Sequence, residues 1–217
     1  GIYKNDVVSK PHFAVSCQHY SFAVNAFVDV IRRFDAYQYD FTIREEQTHE
    51  IIEDVTNLKS ELGVIYLSSK NTEVLSKMLK RNELEFTELF TATPHVFICD
   101  SHPLAKKKSI TMENLQDYPY LTYEQGEYNS QYFSEEFVST LDSRKNIRVR
   151  DRATLFNLII GLNGYTVCSG VISAELNGRN IISKPLDVEE YMRIGIITRK
   201  GVVLSRYARE YIEALKA

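Results

Sequence analysis

The feature that most constrains this chain is a repeated switch of apolar periodicity, from two to 3.6 and back, between Phe13 and Leu79. Phe13-Ala14-Val15-Ser16-Cys17 is a short apolar run that ends in small polar residues, and a helical pattern follows from about Ser21 to Phe34. Tyr39 to Arg44 alternates with Phe41 and Ile43 on one face, after which Ile51, Ile52, Val55 and Leu58 recur at helical spacing. Leu62–Leu67 reads as a third strand, and Val74, Leu75, Met78 and Leu79 mark a third amphipathic helix. Strands that alternate with helices in this way specify βαβ units and a mainly parallel sheet.

The pattern changes at Leu89. Phe90 to Asp100 reads as one long extended segment, and a turn-rich region with Pro103, Pro119 and the polar stretch Glu124 to Ser130 opens a second lobe. Within it, Leu121–Tyr123 is a strand, Tyr132 to Leu141 a helix and Ile147–Val149 a strand. Asp151 is placed to cap a helix whose Leu155, Leu158, Ile159 and Leu162 form one stripe, with Gly164 placed to end it. Tyr165 to Val171 and Arg193–Thr198 are further strands, and Tyr207, Ala208, Tyr211, Ile212 and Leu215 give the last helix its buried face. The chain is therefore expected to cross between lobes near Ala92 and to return near Pro185. Lobe I would hold residues 1–91 and 186–217, and lobe II residues 92–185.

Composition limits the function. With 217 residues, 44% of them hydrophobic, the chain can bury a full core. Its 26 basic and 29 acidic side chains leave a net charge of -3, so this segment carries no electrostatic footprint for DNA. It has no apolar run of about 18 residues, and Gly1–Asp6 lacks a signal-peptide profile, so neither a membrane nor an export signal is read. Cys17, Cys99 and Cys168 are odd in number, far apart and without zinc-ligand spacing, which fits a reduced, cytoplasmic setting. Their default role is as small buried apolar groups; redox sensing by Cys17 or Cys168, each near a strand end, would require an exposed thiol of low pKa. Lys106–Lys108 reads as a solvated turn, His95 and His102 as strand and turn residues, and His12, His19 and His49 share no metal-ligand spacing.

His95 to Leu121 reads HVFICDSHPLAKKKSITMENLQDYPYL, an extended strand followed by a His-Pro-Leu-Ala turn, a basic segment, a short helix and a Pro-aromatic step into the next strand. This stretch resembles the effector domains of LysR-type transcription regulators. Arg150-Asp151 to Gly164-Tyr165 is similar to the same family, in which a capped helix ends in a Gly-x-Gly step; here the step reads Gly161-Leu162-Asn163-Gly164. The departures are Asn114 and the Leu62-Gly63-Val64 of the third strand, where the family commonly has Asp in each. The resemblance implies an α/β chain of type 2 periplasmic-binding-protein fold, two Rossmann-like lobes joined by two crossover strands. It also implies that DNA is bound only through an N-terminal winged helix-turn-helix domain that is absent from this chain. No cofactor, metal or catalytic group is implied.

In open α/β sheets a ligand sits beyond the carboxyl ends of strands, where helix N-termini present free N–H groups. Ser16, Gln18, Tyr20 and Ser21 hold that place after the first strand, with Ser21 readable equally as a helix cap. Thr122, Tyr123, Glu124 and Gln125 hold it in the second lobe, joined by Arg152 and Thr154 at the start of the Asp151 helix. Arg152 is either a partner for a carboxylate or a solvated first-turn residue. Tyr66, Tyr123, Tyr128 and Tyr132 are candidate apolar walls with hydroxyl tips, or else core-edge residues. The set favours a small anionic metabolite. The helix from Ser21 to Phe34 is apolar over a wider arc than one sheet face needs, and the resemblance reads the excess as a homodimer interface with lobe II of a partner.

Three functions share this architecture: an effector-sensing domain, an extracytoplasmic solute-binding protein, and an enzyme acting on a small acid. An enzyme would need an acid and a base at the strand ends, where Glu124 and Asp151 are the candidates. The sensing domain is the expectation, with no catalytic role.

Overall fold

The computed structural model describes residues 10–34, 38–128, 132–136, 143–170 and 180–217. Its first unit is a five-stranded sheet ordered β2-β1-β3-β10-β4, in which β1 (His12–Cys17) runs parallel to β2 (Asp40–Glu45) and β3 (Leu62–Leu67). Strand β10 (Met192–Arg199) enters antiparallel between β3 and β4 (Leu84–Ala92). All six residues of β3 are buried, the pattern of a strand covered on both faces. Leu62, Val64 and Tyr66 join Phe13, Val15 and Cys17 of β1 in a core closed by helices α1 (Ser21–Arg33) and α5 (Arg206–Lys216). Ile65 and Leu67 point the other way, into a second core with Ile51, Ile52 and Val55 of α2 (Thr48–Thr56) and Leu75 and Leu79 of α3 (Thr72–Arg81).

Gly63 has a steric reason. A Cβ there would lie 2.6 Å from Ile51 Cγ2 and 2.9 Å from Ile197 Cγ1, so the second core closes over this position only if it has no side chain.

The expected single extended segment from Phe90 to Asp100 is instead two strands in different sheets. Strand β4 starts earlier, at Leu84, and ends at Ala92; after Thr93-Pro94, β5 (His95–Cys99) lies between β8 (Thr166–Cys168) and β9 (Ile181–Pro185). Pro94 interrupts the ladder because it has no N–H to donate. The two crossings are neighbours: Ala92 pairs with Met192, His95 with Pro185, and Leu186 N–H donates to the Pro94 carbonyl at 3.1 Å. Strand β9, which periodicity did not reveal, is the edge partner that carries the chain back.

The second unit also contains the parallel pair β6 (Tyr120–Tyr123) and β7 (Asn146–Val149), with helix α4 (Arg152–Leu162) packed over Leu121, Val149 and Phe97. Asp151 caps α4 as expected, accepting the Thr154 N–H at 3.0 Å. Its buried stripe is shorter than expected: Leu155 and Ile159 are buried, whereas Leu162 is exposed. The left-handed residue that ends α4 is Asn163, not Gly164. Gly164 is needed for space, since a Cβ there would meet Leu121 Cδ1 at 2.3 Å. Of the expected helix from Tyr132 to Leu141, residues 132–136 are turn and bend and the rest lies outside the described residues, as does Val171.

Candidate functional site

Where β1 meets α1, the chain turns through Gln18-His19-Tyr20. Gln18 is buried and held at both ends, its Nε2 donating to Thr48 Oγ1 at 2.9 Å and its Oε1 accepting from Tyr20 Oη at 2.9 Å. Tyr20 takes the N-cap position of α1 without a side-chain cap bond, which leaves Ser21 as a first-turn residue rather than the cap. His19 is thereby presented to the opposite unit. Its ring stacks on Tyr123 of β6 with centroids 3.8 Å apart and planes 7° from parallel.

Around His19 a narrow cleft opens between the two units. Its polar side holds His19, Tyr20, Ser21, Glu135, Glu136 and Arg152; its apolar wall is Phe97, Leu155, Phe156 and Val167, with Thr166, Cys168 and Ser169 at the end of β8. An apolar wall with a few convergent polar groups is the ordinary make-up of a small-molecule site.

Two charge pairs cross it. Glu135 Oε1 accepts from the His19 backbone N–H at 2.7 Å and lies 2.8 Å from His19 Nδ1, with both side chains almost fully buried at 6% and 4% exposure. Burial alone would lower the His19 pKa, but the charge and hydrogen bond of Glu135 outweigh it and raise the value above the ordinary imidazole range. Arg152, at the start of α4, pairs with Glu45 at the end of β2. Burial pushes Glu45 up, while the guanidinium pulls the other way. Behind these pairs Glu136 is pushed up to about 8, first by burial and then by the neighbouring charge of Glu135, so it favours the neutral acid at pH 7.

Further bonds close the cleft. Gln125 Oε1 accepts the Thr48 N–H at 2.9 Å, and its Nε2 donates to Glu135 Oε2 at 2.9 Å. Tyr66 Oη donates to the carbonyls of Ser134 at 3.0 Å and Glu136 at 3.2 Å, and Thr48 Oγ1 donates to the Phe133 carbonyl at 2.8 Å.

Of the residues expected from sequence, Tyr20, Ser21, Tyr123 and Arg152 line the cleft. Gln18, Tyr66 and Gln125 stand behind it as supports. Ser16 is fully buried and bonded to Asp54 and Ser60, at 2.8 and 2.7 Å, so it faces the sheet's interior. Thr154 donates to Asp151 at the exposed cap of α4, and Thr122 is buried in β6. Glu124 pairs with Arg150 at 3.2 Å, outside the cleft, so the acid and base considered for an enzyme are not assembled there. Tyr128 is exposed and stacks on His49 rather than walling the cleft, and Tyr132 does not line it. Sequence reasoning missed His19, which was weighed only as a metal ligand, and Glu135 and Glu136, which fell in an expected helix. A pair of adjacent acids beside Phe133 was the one available signal.

The His-Pro-Leu-Ala turn has a structural basis. Buried His102 donates from Nε2 to the Asn163 carbonyl at 3.0 Å and accepts the Leu104 N–H on Nδ1 at 3.0 Å, which ties the turn to the end of α4. Burial lowers its pKa and keeps the ring neutral.

The family model for the LysR substrate binding domain matches residues 16–217. The chain belongs to the LysR family. It is the effector-binding domain of a LysR-type transcription regulator, with the type 2 periplasmic-binding-protein fold. Its structure is similar to HinK, a LysR family transcriptional regulator from Pseudomonas aeruginosa, at 15% identity and a TM-score of 0.65 over 99% of this chain and 73% of that one. It is also similar to the reduced OxyR regulatory domain of the same organism (17%, 0.65, 95% and 97%) and to the effector binding domain of a BenM variant (17%, 0.64, 95% and 93%). No curated protein matches this LysR domain as a sequence relative. Among the described residues, no helix is long and apolar enough to cross a membrane, and no cluster of three metal-ligating side chains occurs.

Proposed function

We propose that this LysR effector domain senses a small anionic metabolite in the cleft between lobe I, residues 1–91 and 186–217, and lobe II, residues 92–185. The observation that carries the reading is the cleft's construction from both lobes: His19, Tyr20 and Ser21 on one side, Tyr123, Arg152 and the Leu155-Phe156 wall on the other. An acidic head group would take the His19 and Arg152 donors, and an apolar body would lie against Phe97, Leu155, Phe156 and Val167. Ligand that bridges the lobes, with different affinity for their two arrangements, shifts the balance between them and so alters the activity of the full-length regulator on DNA. The domain works in the cytoplasm and performs no catalysis.

The regulator acts as a homodimer through α1 and the second lobe of a partner. Part of the wide apolar arc of α1 is used internally, where Phe27 packs on Tyr211 and Phe34 on Tyr207. Val24 and Val28 remain half-exposed on α1, and Ile160 and Leu162 are exposed on α4, an apolar face on each lobe.

The test is a melting-temperature screen of the chain against small carboxylates, because a ligand that binds only the folded form raises the midpoint. A hit whose effect disappears in Arg152→Met supports the reading. A panel that shifts nothing, or a hit that Arg152→Met leaves untouched, counts against it.

A further inference from the structure

A buried acidic side chain is rare, and two adjacent ones are rarer. Glu135 is held as a bound carboxylate ligand would be, by one backbone N–H, one imidazole nitrogen and one side-chain amide. These donors come from both units, His19 from the β1–α1 turn and Gln125 from the loop after β6. They form a receptor for a carboxylate, assembled across the cleft and filled by the chain itself.

The occupant is built to leave. Residues 132–136 are turn and bend, so Glu135 can turn out of the cleft without melting a helix or strand. The segment's backbone is secured independently of Glu135: Thr48 holds the Phe133 carbonyl and Tyr66 those of Ser134 and Glu136. Glu136 is fixed separately, accepting from the Tyr123 N–H at 3.0 Å and from Ser134 Oγ at 3.1 Å. Loss of the Glu135 contact therefore empties one subsite and leaves its frame in place.

We propose that Glu135 is a tethered stand-in for the effector's carboxylate, and that an acidic effector works by displacing it from His19 and Gln125. This rests on the effector reading above and adds the competitor to it. The resting domain is then closed by its own side chain. An effector exchanges one lobe-to-lobe bridge for another of different reach, rather than closing an open cleft.

The test removes the tether and supplies a free carboxylate. In Glu135→Ala, acetate should bind at least about tenfold more tightly than to the native chain. It should also raise the variant's melting point saturably and move the His19 backbone amide resonance. Without acetate, the His19 ring should titrate below its value in the native chain, and acetate should raise it again. The conservative Glu135→Gln, which keeps the shape and loses the charge, should fold if Glu135→Ala does not. It should show the same fall in His19 pKa and an intermediate acetate affinity.

Equal acetate affinity in native and variant chains, or a His19 titration that ignores both substitutions, overturns the proposal. A metabolite that binds the native cleft while Glu135→Ala ignores acetate would remove the tethered competitor and leave the effector reading intact.

Discussion

The Arg152–Glu45 pair is a direct lever on the cleft, since it joins the start of α4 to the end of β2. Both side chains are mostly buried, at 17% and 27% exposure, so solvent screens them only in part. Two unit charges about 3 Å apart attract by about 5 kcal/mol at an effective dielectric of about 20. Desolvation takes back much of this, which leaves a net coupling of about 1–3 kcal/mol. Arg152→Met removes the attraction and strands Glu45, whose pKa burial already raises. The sign of the pH effect follows. A carboxylate raised in the folded state costs stability while it is ionised, and the cost is relieved as pH falls and it takes up a proton. The variant should therefore melt roughly 2–12 °C below the native chain at pH 8, at about 2–4 °C per kcal/mol for a domain of this size. The deficit should shrink toward pH 5. Thermal melts of Arg152→Met, Glu45→Gln and the double variant complete the cycle, and the double variant should recover most of what Arg152→Met loses. A coupling under about 0.5 kcal/mol, or a deficit that stays constant with pH, would refute the clamp.

Four other outcomes follow from particular contacts. His102→Ala forfeits two buried hydrogen bonds and should cost about 2 kcal/mol by urea unfolding. Because burial lowers the His102 pKa, its contribution is complete above about pH 6.5 and is lost on acidification, so the native chain should lose stability below that pH more steeply than the variant. Gly63→Ala forces a methyl group against Ile51 and Ile197 and should cost about 1–3 kcal/mol by the same assay. Ser205 accepts the Ala208 N–H and donates to Glu61 at 2.7 Å, so Ser205→Ala should cost about 1 kcal/mol by the same assay. Burial raises the thiol pKa of both Cys17 and Cys168, so a thiol reagent should leave buried Cys17 unlabelled in the native chain and label the half-buried Cys168 of the cleft only slowly, and should react with all three cysteines in urea. Rapid native labelling of either would reopen redox sensing.

The fold was legible because its signals are local. The apolar runs Phe13–Cys17 and Leu62–Leu67 and the Asp151 cap each act over a few residues, and the strands and helix they specify are the ones observed; the mainly parallel pairing expected of them holds for β1, β2 and β3 but not for β10 or β5, which pair antiparallel. Legibility failed where one long-range fact decided the outcome. Pro94 splits an extended segment between two sheets, but only the partners β10 and β9 reveal where each half belongs. The cleft is a stronger case. His19 and Glu135 are 116 residues apart and Arg152 and Glu45 are 107 apart, and each was ordinary in its own neighbourhood. Position relative to a strand end identified the region of the cleft but not the side that a residue faces: Ser16 and Gln18 are two apart on one turn of chain, and both point into the protein, whereas His19 between them and Tyr20 points out. The pleat explains this. Side chains alternate along β1, so a hydroxyl at its last turn is as apt to join the buried Asp54–Ser60 network as the ligand site. The acids of the cleft carry the same lesson in energetic form. A sequence reading assigns Glu135 and Glu136 to solvent because burying a charge is costly, and that cost is met only by donors which the tertiary fold brings together. Their burial is thus the least predictable feature of the chain and the most informative about the site.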